Sequence, residues 1–145
     1  GGAALSGEVR IMRITRRIWL ASALAISCGR TGGRPDQAHL PGIAADGGCQ
    51  FPKRAVLVHE ETSESQKLWI IRADERFTLP GEKVMADPAT VRTELEKNIK
   101  ITDIGELVDP MAERWAWENA KGRWRAAAVR GAGGYFLHLE QFAKM

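Results

Sequence analysis

The side chains best suited to chemistry cluster late in the chain, as Trp115-Ala116-Trp117 and then Arg123-Trp124-Arg125. Arginines flanking tryptophans can stack on sugars or bases and grip phosphates or carboxylates through a planar fork of N–H donors. The same alternation along a strand also puts tryptophans on a core face and arginines on a solvated one. Trp115, Trp117, Arg123, Trp124 and Arg125 therefore form either a binding surface or two faces of one hairpin. The histidines are His39, His59 and His138, and neither an HExxH pattern nor a paired spacing occurs, so no metal site and no cofactor are expected. Cys49 with His59 is the one conceivable thiol–base pair, but Cys49 follows Gly47-Gly48, where geometry is hard to hold. GxSxG, a phosphate-binding glycine loop and a dinucleotide fingerprint do not occur, and Gly131-Ala-Gly-Gly134 reads as a turn. A non-catalytic domain is expected, with a small enzyme as the alternative.

The elements that must position these residues read as a small α+β domain over residues 53–145. Ala55–Val58 and Leu68–Ile71 are short β-favouring runs, read as a hairpin with a long loop, and Arg76–Leu79 continues the second strand up to Pro80-Gly81. Asp87-Pro88 opens a helix, with Asp as N-cap and Pro at the first position. Val91, Leu95 and Ile99 then mark its buried stripe, and Glu96 with Lys100 a supporting pair. Residues 114–129 fit a helix or two strands. Asn119-Ala120-Lys121-Gly122 has hairpin-turn chemistry, and Gly122 inside a helix would cost about 1 kcal/mol, so strands are preferred, with Trp117 across from Trp124. With Tyr135–Leu139 they make a three-stranded antiparallel meander. The expected order is β-hairpin, one helix, meander.

Ahead of this domain lies a different kind of sequence. The 145 residues carry a formal charge of +3, from 21 Lys+Arg and 18 Asp+Glu. All of the excess sits before Cys28, where Arg10, Arg13, Arg16 and Arg17 face only Glu8; residues 28–145 are neutral. The pI near 9.1 thus argues for no nucleic-acid partner. Met12 is a credible start, with residues 1–11 an upstream extension or tag. Arg13, Arg16 and Arg17 precede an apolar run from Ile18 to Ser27, which is the anatomy of a secretory signal and too short to span a bilayer. Thr15-Arg16-Arg17-Ile18-Trp19-Leu20 resembles the twin-arginine export motif, and Leu24-Ala25-Ile26-Ser27-Cys28 resembles a bacterial lipobox. The resemblance implies a signal peptide over residues 12–27, lipidation at Cys28 and a membrane-anchored periplasmic lipoprotein. Ala25 stands where lipoboxes usually carry leucine, so cleavage after Ala23-Leu24-Ala25 is the rival. An amphipathic N-terminal helix is the structural alternative, though Ile18–Ser27 has no polar stripe.

If Cys28 is lipidated, Cys49 is a leftover thiol; otherwise the two could form a disulfide. From Cys28 to Pro52, glycines and prolines replace large apolar residues, and residues 28–52 read as a flexible tether. The leading expectation is an exported envelope lipoprotein that binds an envelope protein or glycan. Its rivals are a small periplasmic enzyme and a cytosolic nucleic-acid binder using Arg10–Arg17 as an arm.

Overall fold

A computed structural model describes residues 31–32 and 35–143; the signal segment, with Arg16, Arg17 and Cys28, lies outside the described residues. The two-residue strand β1 (Thr31–Gly32) lies outside the larger compact unit, whose described part is residues 35–61 and 65–143. That unit is described below.

A 3-10 turn at Gln37–His39 leads into α1 (Leu40–Gly47), followed by β2 (Val56–Thr62), β3 (Gln66–Ala73) and β4 (Glu82–Ala86). Then come α2 (Pro88–Glu96), α3 (Ile101–Ile104), β5 (Ala112–Asn119), β6 (Gly122–Gly131) and β7 (Gly134–Phe142). The six strands of this unit lie in the order β2-β3-β7-β6-β5-β4. β7 is antiparallel to both β3 and β6, and β5 to both β6 and β4.

Both faces of the sheet carry a core, because helices lie on each. On one face Trp69, Ile71, Trp115, Trp124, Ala126 and Leu137 pack with Ile43 of α1 and Phe77. On the other, Ile70, Ala127, Val129 and Phe136 pack with Val91 and Leu95 of α2 and Ile104 of α3. β6 accordingly buries Ala126, Ala127, Ala128 and Val129 in succession, as a strand covered on both sides does. The alanines keep the layers close.

The architecture is mostly sheet, and the expected order of hairpin, one helix and meander gives way to this larger arrangement. Three helices occur among the described residues, and a further strand, β4, lies at the far edge beside β5. Residues 76–79 do not continue β3. They cross toward the opposite edge, burying Phe77, which meets Phe51 edge-on at 5.9 Å, while Thr78 bridges Gln50. The β-favouring runs and turn chemistry marked β2, β3, β5, β6 and β7 but not β4, nor which edge each would join.

The expected tether over residues 28–52 is also corrected in its second half, where α1 docks on the sheet with Ile43 buried. Glycine and proline content suggested flexibility, yet here they build a helix. Pro41 occupies its first turn, and Gly48 ends it in the left-handed region at φ 71°. Gly47 is packing rather than slack: a Cβ there would lie 3.0 Å from Cys49 Sγ and 3.2 Å from the Trp124 ring.

α2 begins where the sequence indicates. Asp87 caps it, accepting hydrogen bonds from Thr90 N at 3.3 Å and Thr90 Oγ1 at 2.8 Å. Its outer ion pair is Arg92–Glu96 at 3.5 Å in place of the expected Glu96–Lys100.

Candidate functional site

The β5–β6 turn sets the geometry of the tryptophan–arginine segment. Asn119 pairs with Gly122, and its Oδ1 accepts from Lys121 N at 2.8 Å and from Trp124 Nε1 at 2.9 Å. Trp117 then stands opposite Trp124, with parallel rings 6.0 Å apart, and Trp124 stacks on Trp69 at 6.2 Å. The end of α1 closes over this stack, where Trp117 Nε1 donates to Gly47 O at 2.9 Å and Asn119 Nδ2 to Asp46 O at 2.9 Å. Trp115 and Trp124 are buried and Trp117 is partly so. The three tryptophans are core and ladder on the α1 face.

Arg123 and Arg125 project from the opposite face, the one α2 covers only in part. The structure thus separates the tryptophans from the arginines across the thickness of the sheet. Arg123 lies directly across from Phe142, and both guanidiniums lie over its ring, Arg123 at 5.5 Å and Arg125 at 5.0 Å from the centroid. Arg125 also reaches Glu140 at 3.7 Å with most of its side chain exposed; among the described residues no carboxylate pairs with Arg123. Stacking on a ring orients a guanidinium while its edge N–H groups stay free for an anion.

His138 lies on this same face, at the margin of α2. Burial pushes its imidazole below the ordinary 6.5, opposed by the charges of Glu140 and Glu94 and assisted by Arg114 and Lys97. Arg114 is bound to Glu94 of α2.

The thiol–base pairing does not form. Cys49 is a buried free thiol beside Gly47 and Trp124, and burial pushes its pKa up to about 12, so it stays protonated near neutrality. His59 is bound to Glu61 at 2.7 Å, and His39 to Glu60 at 3.1 Å. No group of three or more metal-binding side chains occurs among the described residues.

A second arginine–aromatic cluster, missed in the sequence, lies at the other end of β6–β7 on the α1 face. Arg130 stands across from Tyr135, and the guanidiniums of Arg130 and Arg76 lie 5.2 and 5.5 Å from its ring centroid. Asp109 bridges the arginines, to Arg76 at 3.5 Å and Arg130 at 3.7 Å, and Glu113 meets Arg76 at 3.4 Å and Lys83 at 3.0 Å. Arg76, Asp109, Glu113, Arg130 and Tyr135, together with Met85 and Met111, line an open cleft of about 230 Å³, and Lys83 lies beside it. Only the register pair Arg130–Tyr135 was accessible from the sequence, through the glycine turn between them. Arg76 and Lys83 arrive there through the crossing to β4 and Asp109 through the loop between α3 and β5, which no local pattern encodes.

No family model matches this chain, and comparison with curated proteins and with solved structures finds no match to either.

Proposed function

We propose that the chain is an exported bacterial envelope lipoprotein whose folded part binds an acidic partner and does no chemistry of its own. In this reading residues 12–27 are the signal, Arg16 and Arg17 select the export route, and a diacylglycerol on Cys28 anchors the protein on the periplasmic side. The partner is an acidic glycan or the acidic face of an envelope protein. One observation carries the binding assignment: Arg123 and Arg125 are held over Phe142 on a part of the sheet that α2 leaves open. Carboxylates or phosphates repeated along a partner would meet both guanidiniums without reordering them.

From Cys28 to the first helical residue, Gln37, the chain extends at most about 30 Å. A lipid on Cys28 would therefore hold the domain close to the headgroups, nearer than a tether running to Pro52 would. No helix among the described residues is long and apolar enough to cross a membrane.

Two measurements test the reading. The intact mass of the membrane-extracted protein should correspond to a chain beginning at Cys28 plus a diacylglycerol; a product retaining Arg13–Ser27 would end the lipoprotein assignment. Retention on immobilised polygalacturonate should fall with salt and vanish when Arg123 and Arg125 are both changed to glutamine. Unchanged retention in that variant would remove the binding surface.

A further inference from the structure

The cleft around Tyr135 has a different chemistry from the open arginine face, and its assignment does not depend on export or anchoring. We infer that this cleft is a binding site for a small organic carboxylate. Its cations form the rim and its acids the base. Arg76 and Arg130 expose about half of their side chains (57% and 45%), against 23% for Asp109 and 14% for Glu113, and Lys83, beside the cleft, pairs with Glu113 at 3.0 Å. The rim therefore presents positive charge over partly neutralised carboxylates.

The guanidiniums also have donors to spare. Their contacts to Asp109 and Glu113, at 3.4–3.7 Å, are longer than the roughly 2.7–2.9 Å of a good charge-assisted hydrogen bond. Tyr135 meanwhile holds both planes in place, so an incoming carboxylate meets oriented N–H groups rather than two mobile side chains.

Size and lining restrict the occupant further. By proportion to an apolar cavity of about 150 Å³ that holds benzene, a 230 Å³ cleft takes roughly nine non-hydrogen atoms. A group of that size fits a small organic acid better than a glycan chain or an acyl lipid. Met85 and Met111 form an adaptable apolar wall, which suits a short carbon body and gives inorganic phosphate nothing to contact. The carboxylate lies toward Arg76 and Arg130, and the carbon body toward the methionines.

The test uses the full chain and three probes: benzoate, its neutral counterpart benzyl alcohol, and inorganic phosphate. Titrations are followed by the NMR signals of the methionine methyls and by calorimetry. Benzoate should bind saturably and shift Met85 and Met111, with benzyl alcohol and phosphate each at least tenfold weaker. Arg130→Gln should weaken benzoate at least tenfold. Met111→Glu should do the same by placing a competing carboxylate among the arginines, and as Met111 is an exposed loop residue this variant stands if Arg130→Gln fails to fold. Equal binding of benzyl alcohol or phosphate, undiminished binding in Met111→Glu, or no saturable benzoate binding would overturn the assignment.

Discussion

The two ends of the β6–β7 ladder carry the same device in different surroundings. At one end Arg123 faces Phe142 with Arg125 beside it; at the other Arg130 faces Tyr135 with Arg76 beside it. Arg123 and Arg130 lie seven positions apart on β6, an odd spacing that puts the clusters on opposite faces. Each helix layer covers one end of its own face. α1 closes over the tryptophan stack and leaves the Tyr135 end open, whereas α2 and α3 cover Val129 and Phe136 and leave the Phe142 end open. The open end of the α2 face stays a surface. The open end of the α1 face becomes a cleft, because the crossing to β4 and the Asp109–Met111 loop wall it in. Similar arginine–aromatic pairs thus acquire different capacities from what the chain lays over them.

The largest way to break this comparison is to remove the core that separates the two faces. Trp124→Ala deletes the middle ring of the stack, and denaturant unfolding should report a loss of about 3–5 kcal/mol. A loss below 1 kcal/mol would return the tryptophans to the surface reading.

Gly131→Ala should come next, at about 2–3 kcal/mol in the same assay, because a Cβ there overlaps the Ile104 carbonyl oxygen at the end of α3. It acts at the Tyr135 end, so benzoate binding should weaken along with stability.

A smaller effect belongs to His138 on the Phe142 face. Its folded pKa is lowered by burial, so the unfolded chain takes up this proton first. The stability it contributes is present above about pH 6.5 and is lost as pH falls from there through the lower folded value. Unfolding measured from pH 7.5 to 5 should show this decline, and His138→Gln should make it shallower. An unchanged slope would place the titration elsewhere.

The smallest stability change is expected from Arg123→Gln with Arg125→Gln, at most about 1 kcal/mol, since exposed stacked guanidiniums contribute little. Comparing that variant with Trp124→Ala contrasts residues adjacent in sequence whose roles lie on opposite faces.

Part of this was legible in the sequence. The Asn119–Gly122 turn fixed the Trp117–Trp124 register, and Asp87-Pro88 with Val91 and Leu95 marked α2, because turn and cap chemistry are local. α1 was not legible by composition, since Gly47 and Gly48 count as flexible residues until the Trp124 ring and the left-handed cap are known. The placement of β4 was hidden for a related reason: an edge strand with Val84 and Met85 exposed carries no core pattern, and its partner is set by a crossing over the sheet. The cleft depended on that crossing. The open arginine face did not, which is why its arginines were already candidates.

The most direct test of two separate anion sites is a crossed titration of two variants with two ligands. Polygalacturonate and benzoate are each titrated, by calorimetry at fixed salt, into the Arg123→Gln/Arg125→Gln variant and into Arg130→Gln. The first variant should lose the polymer and keep benzoate; the second should lose benzoate and keep the polymer. Loss of both ligands in either variant, with the fold intact by circular dichroism, would contradict the division of the two ends.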